Sequence, residues 1–529
     1  HNSWAARLEK DGKIFETKND DGETGAGMVI LRQMQKANIT IGGVTAFCAV
    51  LFAADAGLNV PLSLGFAGAT IAAVTILSFL NVRSEKRIHM EQMWSVFGAA
   101  LPFVLVLILF DILRLTDTQT AIAVFGLMGV NAAQATWLWA KHNTQKAAMF
   151  IYTLTAAACY VLGVLTGFSG LIESLLLIAG IIIAAGLYKF APLYGLRLIA
   201  PGMAILSIWH TLDTRIPNPE AIRDTVILNE LWLYFALPAV LCVGAYKLIV
   251  PTIRDIWSEG LKALALTLTA LFFVFQVRHI MNGGNVLSHE FGFDELSLQV
   301  LVGLCFTLGG TLLGKQKAEK LSLDNIAQRP RFEMLIPSLA LVVSLATLAA
   351  FALGVCLIMN PLLNETTTVN GKGVFNSLAL AYLLPALALG GIAYLSRPHR
   401  PLFYVQLTGG LALVSVLLYL TSMVRFLFSG TDISIFANPP ADAEMYAISA
   451  VWLLFGIALV AVGLWRKNRD LRIASAIVIT LTVLKAFLID MASLEGVLRA
   501  MSFVVLGLVL IVIGRVYQKL LFSRKQDDL

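Results

Sequence analysis

Long apolar runs separated by short polar stretches dominate the chain from Ile39 onward. Most runs come close to the roughly 20 residues that an α-helix needs to cross the hydrocarbon core of a bilayer. They are continuously apolar, whereas the strands of a membrane barrel alternate apolar and polar positions over about ten residues. The pattern predicts an all-α polytopic membrane protein with about 16 transmembrane helices. The predicted spans are residues 39–56, 60–80, 94–113, 120–140, 147–168, 171–187, 193–210, 228–250, 257–278, 296–314, 335–359, 374–395, 402–428, 446–465, 471–490 and 497–517.

One block of the chain occurs twice at a constant spacing of 147 residues. Similarity at a fixed spacing is typical of an internal duplication. A unit of four helices returns each copy in the same orientation, so we expect parallel four-helix repeats rather than the inverted repeats of many transporters. The matching pairs are Asn229 and Asn376, Pro238 and Pro385, and Arg278 and Arg425.

The repeat predicts how the chain is organised. Residues 1–38 form a polar N-terminal segment without the pattern of a cleaved signal peptide. Residues 39–192 hold the first helices, and one interpretation makes them a degenerate copy of the unit. The two four-helix units follow at 193–334 and 335–470, and a helix pair with a basic tail occupies 471–529.

Composition and charge support the membrane class. The chain is 58% hydrophobic and 14% charged, against roughly a quarter charged in globular proteins. All but eight of its 39 Lys and Arg residues lie in the N-terminal segment, in the loops after even-numbered spans or in the tail. Because cytoplasmic loops carry an excess of Lys and Arg, we expect both termini in the cytoplasm and the loops with Pro217 and His289 outside. The net charge of +6 then reports topology, and no nucleic-acid partner is expected.

Several common chemistries leave no trace in the sequence. The five cysteines lie in apolar runs at unrelated spacings, which predicts neither a disulfide framework nor a zinc site. There is no phosphate-binding G-x-x-x-x-G-K-[ST] sequence and no zinc-protease motif. Gly283 and Gly284 lack flanking strand and helix patterns and predict a turn. We therefore expect no cofactor and no metal, and the lipid bilayer as the first partner.

Ionisable residues near the outward ends of the spans are the candidate site. Charge within a membrane is costly and usually faces a cavity or a partner. One interpretation is an outward-facing, ligand-binding polar site; the other is interfacial snorkelling or local ion pairs. The candidates are His210, Asp213, Arg278, His279, Arg425, Lys485, Asp490 and Arg499.

The spacing of Lys485 and Asp490 makes a specific prediction. Five residues on an ideal α-helix turn through about 140 degrees, so the two side chains are expected on different faces. Each then needs a partner elsewhere. Arg499 is the candidate for Asp490, and Asp213 or Asp111 for Lys485.

Prolines and asparagines recur within the repeated block. Pro238 and Pro385 fall in the middle of predicted spans, where proline removes a backbone hydrogen bond and is expected to kink the helix. Paired kinks indicate either a central cavity or a packing bend. Asn229 and Asn376 stand where helices begin and are expected to cap them.

The C-terminal region carries a resemblance. Its residues include 471–474, 481–485, Phe487, Asp490, Leu494, Arg499, 502–503, 506–507 and 517–518, together with the repeated Asn-x-Leu and Leu-Pro-Ala block. This pattern resembles the domain-of-unknown-function 2339 family of predicted bacterial multi-pass membrane proteins. The resemblance implies a bacterial inner-membrane protein with no assigned activity, and no catalytic residues can be carried over from it. Lys485, Asp490 and Arg499 are its family-like polar positions.

Three functions remain open at this point. A transporter or flippase for an anionic envelope component or a lipid-linked one would use the repeat interface and the kinked helices. A structural or assembly subunit would bind other envelope proteins. A membrane-embedded transferase with a lipid-linked donor would need an acid or base such as His210, His279, Asp213 or Asp111, although the short outer loops leave little room for a substrate domain.

Overall fold

The computed structural model describes residues 60–84, 88–112, 116–141, 144–217, 222, 225–288, 291–319, 335–398 and 400–490, with six single positions beyond residue 500. The predicted first span, 39–56, lies outside the described residues, and so does almost all of the last, 497–517. Arg499 is also outside them. The side chain of Asp111 is not described either.

The chain divides into two compact units. The first comprises residues 1–223 and 228–272, and the second comprises 224–227 and 273–529. Described helices of the first unit are α1 (Val60–Ser84), α2 (Ile88–Ile112), α3 (Asp117–Lys141), α4 (Lys146–Gly167), α5 (Gly170–Phe190), α6 (Tyr194–His210) and α7 (Leu237–Ile249). Helix α8 (Ile256–Met281) runs from the first unit into the second.

The second unit continues with six further described α-helices. They are α9 (Phe293–Glu319), α10 (Leu335–Ala349), α11 (Leu384–Ser396), α12 (Leu402–Ser429), α13 (Asp442–Trp465) and α14 (Arg469–Lys485). Sequential neighbours pack together in both units: α5 on α6 in the first, and α11 on α12 and α13 on α14 in the second.

Hydropathy and helix length agree with a membrane-spanning protein. Among the described residues, twelve helical segments are long and apolar enough to cross a bilayer. Shorter apolar stretches, Ala67–Arg83 and Gln92–Ile108, lie within α1 and α2. Each predicted span between residues 60 and 490 overlaps a helix, because a segment in hydrocarbon must satisfy its own backbone groups and the α-helix does so locally. The all-α polytopic class is confirmed.

Five π-helical segments interrupt or extend the described helices: π1 (Thr211–Arg215), π2 (Trp232–Ala236), π3 (Ala350–Ile358), π4 (Ala379–Leu383) and π5 (Ala486–Asp490). In a π-helix each backbone bond closes over five residues instead of four. The hydropathy pattern does not reveal them, because hydropathy depends on which residues a segment contains and not on whether its backbone bonds close over four or five residues.

Pro238 and Pro385 are each the second residue of an α-helix that follows a π segment. Proline has no N–H, so neither residue can bond to the carbonyl four positions earlier. The residues directly before them, Leu237 and Leu384, donate to carbonyls five positions earlier. The predicted kinks therefore fall at transitions from π to α geometry, and the size of the bend remains a prediction.

Both asparagines of the repeated block bond to the backbone at a helix start. Asn229 Oδ1 accepts from the N–H of Leu231 at 3.2 Å. Asn376 Oδ1 accepts from the N–H of Ala379 at 3.1 Å, the distance in sequence expected of an N-cap. The capping prediction is confirmed for Asn376, and Asn229 makes the shorter Asx-type turn.

The span predicted from residue 374 begins later in the structure. Gly371–Lys372 and Phe375–Asn376 pair as a two-stranded antiparallel hairpin, β1 and β2. Gly371 and Gly373 adopt positive φ angles of 99° and 60°, which glycine reaches without strain. The apolar residues Val374 and Phe375 thus belong to an exposed hairpin, and helical structure begins at Ser377.

Aromatic residues from several helices form the core of the second unit. Phe351 of π3, Tyr382 of π4 and Tyr404 of α12 are almost fully buried and pack with Val300 of α9. Tyrosine needs a partner for its hydroxyl when buried. The Tyr404 hydroxyl contacts Ser344 Oγ of α10, so this core is joined by polar as well as apolar contacts.

Candidate functional site

Arg425, near the end of α12, is the centre of the first charged cluster, which we call the α12 clamp. Its side chain is 2% exposed. Nη1 donates to Glu444 Oε1 of α13 at 2.8 Å, and Nε donates to the carbonyl of Ile433 at 2.8 Å. Nη2 donates to the carbonyls of Ser434 and Asn438 at 3.0 and 2.6 Å. All three guanidinium nitrogens are engaged, so the clamp ties the α12–α13 loop to both helices.

Arg278, near the end of α8, makes a similar set of contacts, the α8 clamp. Nη1 donates to Glu295 Oε1 of α9 at 2.9 Å and Nε donates to the carbonyl of Val286 at 2.5 Å. Nη2 donates to the carbonyl of Ser288. In both clamps the Nε acceptor lies eight residues after the arginine and the carboxylate opens the next helix.

Glu295 has further partners in the α8–α9 loop and on α9 itself. Asn282 Nδ2 donates to Oε2 at 3.0 Å, and Gln299 Nε2 donates to Oε1 at 3.1 Å. Gly283 and Gly284 have positive φ angles, and the N–H of Gly284 bonds to the carbonyl of His279. The predicted glycine turn is confirmed, as a cap at the end of α8.

The α14 cluster corrects the prediction made for Lys485 and Asp490. Lys485 Nζ lies 2.6 Å from Asp490 Oδ1, and it donates to Ser449 Oγ at 2.8 Å and to the carbonyl of Met445 at 3.0 Å. Ser449 Oγ donates to Asp490 Oδ2 at 2.5 Å. The predicted separation on two helix faces was wrong because residues 486–490 are π-helical, and five residues in that geometry bring side chains into register. Lys485 therefore pairs with Asp490, the residue from which it was expected to be separated.

The α6 cluster lies where α6 continues into π1. Arg215 Nη2 contacts Glu173 Oε2 of α5 at 2.6 Å and the carbonyl of Gly170 at 2.7 Å. Arg215 Nε donates to Ser174 Oγ at 3.0 Å. His210 Nε2 lies 3.6 Å from Glu173 Oε1 and 3.5 Å from Arg215 Nη2. A partly buried carboxylate is thus shared between an arginine and a histidine.

The predicted site residues differ in their surroundings. Asp213 is exposed on π1, beside the α6 cluster. His279 is buried in α8 next to Arg278 along the chain. Arg278, Arg425, Lys485 and Asp490 each pair within a local cluster rather than opening onto a shared surface. Whether any of them binds a ligand stays a prediction.

Sequence reasoning missed the carboxylates and hydroxyls that complete these clusters. Glu173, Glu295 and Glu444 each lie in the first turn of a helix, where a negative charge complements the helix dipole. Glu173 could have been found, because it falls inside a predicted span and an intramembrane carboxylate needs a partner. Ser174 and Ser449 give no comparable signal, since serine is common in membrane helices.

Comparison with known proteins identifies the family. No curated protein and no solved structure matches the chain. The family model described as a predicted membrane protein, DUF2339, matches residues 33–520, which is most of the chain. The resemblance found in the C-terminal pattern is therefore confirmed over almost the whole membrane region. This protein belongs to the DUF2339 family of predicted membrane proteins.

Proposed function

We propose that this protein is a transporter or flippase that handles an anionic or lipid-linked envelope component, and that the α6 cluster is its outward-facing polar site. The proposal places it in the bacterial inner membrane with both termini in the cytoplasm. The observation that carries it is the incomplete use of Arg215: Nε and Nη2 are engaged, whereas Nη1 has no hydrogen bond to the residues that the structure describes.

The contrast with the two clamps supports the choice of site. Arg278 and Arg425 engage every guanidinium nitrogen on carboxylate and backbone oxygens, so neither keeps a whole nitrogen open to an anion as Arg215 does. Arginine recognises carboxylate and phosphate through planar paired donors, which lysine lacks. His210 lies in the same cluster and exposed Asp213 lies beside it, and both would tune the charge that an anionic headgroup meets.

Lipid transfer in proteoliposomes tests this function. Purified protein is reconstituted with a fluorescent phosphatidylglycerol, and movement between leaflets is followed by quenching from outside. We expect faster transfer than in empty vesicles, and a loss of about tenfold in Arg215→Lys, equivalent to about one good hydrogen-bonded contact. Arg397→Lys is the matched control, because Arg397 forms an exposed ion pair with Asp470. Transfer no faster than in empty vesicles, or equal rates in both variants, contradicts the proposal.

A second candidate is a structural or assembly subunit of an envelope complex. The specific observation in its favour is that the arginines of the α8 and α12 clamps bond to loop carbonyls and to a glutamate of the next helix, contacts that hold the loops in place. Such a role requires folded loops and no ligand. In that case Arg215→Lys has no effect on transfer, while association with partner proteins depends on the α12–α13 loop.

A further inference from the structure

The ammonium group of Lys485 sits in a cage of three oxygens. A main-chain carbonyl of Met445, the hydroxyl of Ser449 and the carboxylate of Asp490 lie 3.0, 2.8 and 2.6 Å from Nζ. These contacts use all three donors of the ammonium. Carbonyl, hydroxyl and carboxylate oxygens are also the ligands that proteins offer to hard cations, and helix breaks in transporters use such oxygens for coupling ions.

The α6 cluster has matching residues at a constant spacing of 275 positions. Gly170 matches Met445, and Ser174 matches Ser449. The Gly170 carbonyl and the Ser174 hydroxyl both accept from Arg215, as the corresponding oxygens accept from Lys485. The π segments correspond as well, since Thr211–Arg215 precedes Ala486–Asp490 by 275 residues. In both clusters, therefore, a serine hydroxyl and a main-chain carbonyl near the start of one helix contact a side chain at the π-helical end of the following helix.

The charges that complete the two cages are placed differently. In the α14 cluster the cation is Lys485, before the π segment, and the carboxylate is Asp490 at its end. In the α6 cluster the cation is Arg215, at the end of the π segment, and the carboxylate is Glu173 on α5. Two different cationic side chains, attached at different positions relative to the π segment, thus bind to matching oxygens. The common element is therefore the oxygen set together with one carboxylate, rather than a particular ion pair.

We propose that the α5–α6 hairpin and the α13–α14 hairpin each end in a cage that binds a monovalent cation. In this protein the guanidinium of Arg215 fills the first cage and the ammonium of Lys485 fills the second. A buried carboxylate needs a positive partner, since an unpaired charge in a low-dielectric site is strongly destabilising. The C-terminal ends of α6 and α14 add the negative pole of a helix dipole, which also favours a cation. The carboxylate and the helix dipole favour a cation in the cage whether that cation is a side chain of the protein or a free ion.

Chemical rescue tests the proposal on the full-length protein. Lys485→Ala empties the α14 cage and leaves the Asp490 carboxylate. We expect its thermal unfolding midpoint in choline chloride to fall below that of wild type, and to recover by at least about half in sodium or methylammonium chloride at equal ionic strength. Choline is too large for the cage, and wild type should respond equally to the three salts. Lys485→Ala with Asp490→Asn is the control that lacks the carboxylate and should show no recovery.

Other outcomes decide against the cage. Equal midpoints of Lys485→Ala in all three salts show a plain ion pair and overturn the proposal. If that variant cannot be purified in choline chloride, extraction is repeated in methylammonium chloride: recovery of folded protein only with the small cation supports the cage, and failure in both salts overturns it. Arg215→Ala provides a second test. We expect guanidinium to raise its thermal unfolding midpoint at concentrations that leave the midpoint of wild type unchanged.

Discussion

Single residues in this protein decide how loops are held at the ends of membrane helices. Arg425 reaches from α12 to the carbonyls of the following loop and to Glu444 at the start of α13. Its guanidinium is planar and presents its donors in a fixed fork, so several acceptors can be bound at once. Such a buried pair adds little net stability when both partners are present, yet removing one partner leaves an uncompensated charge.

At this scale we predict that Glu444→Gln lowers the free energy of unfolding by about 3 kcal/mol, since the buried Arg425 would lose its counter-charge. Asp470→Asn is the control, because it removes the acid of an ion pair whose side chains are 44% and 59% exposed; we expect a change below about 1 kcal/mol. Unfolding in mixed micelles with increasing sodium dodecyl sulfate measures both. Losses of equal size would show that burial of the Arg425 pair has no energetic consequence.

Among the elements, π segments determine which side chains meet. Residues i and i+5 are poorly aligned on an α-helix but lie in register where backbone bonds close over five residues. Both His210 with Arg215 and Lys485 with Asp490 are such pairs, across π1 and π5. The prolines act on the same scale, because Pro238 and Pro385 each follow a π segment and leave backbone carbonyls for other groups to satisfy.

Ser415 tests how the break at π4 is stabilised. Its hydroxyl, on α12, donates to the carbonyl of Tyr382 inside π4 at 2.6 Å, three residues before Pro385, so a neighbouring helix supplies a donor beside the helix break. Ser415→Ala should lower the free energy of unfolding by about 1 to 3 kcal/mol, since a buried acceptor loses its donor.

Thr136→Ala is the control for Ser415, because the exposed Thr136 hydroxyl bonds only to carbonyls of its own helix. We expect this change to stay within about 0.5 kcal/mol. Equal stability of Ser415→Ala and wild type would mean that the bond across to π4 contributes nothing to the helix break.

For the whole molecule, topology and the internal repeat remain predictions, and two agreements between the units bear on the repeat. The two clamps match in the position of the arginine, the loop carbonyl eight residues on and the glutamate at the next helix start. The segments π2 with α7 and π4 with α11 have equal lengths at the spacing of 147 residues. These agreements favour two copies of one unit at 193–334 and 335–470.

Cysteine labelling tests the orientation. In a variant with all five native cysteines replaced, Lys372→Cys in the exposed β-hairpin and Arg466→Cys after α13 place single thiols in loops of opposite predicted side. A membrane-impermeant thiol reagent added to intact cells should label the first and not the second, because basic loops stay in the cytoplasm. Permeabilised cells, where both should react, are the control. The reverse labelling pattern would show that the topology is opposite to the predicted one. Equal labelling of both thiols in intact cells would refute the predicted topology.

The sequence by itself determined the class of this protein and the positions of the described spans, because transfer of an apolar run into a bilayer depends on that run alone. The recurring Asn, Pro and Arg positions were likewise visible without coordinates. Only the tertiary structure decided that Lys485 pairs with Asp490, that Glu173 belongs with Arg215, and that a hairpin precedes π4. Ion-pair partners and π geometry depend on which helix ends come together, and hydropathy along one helix carries no information about its neighbours.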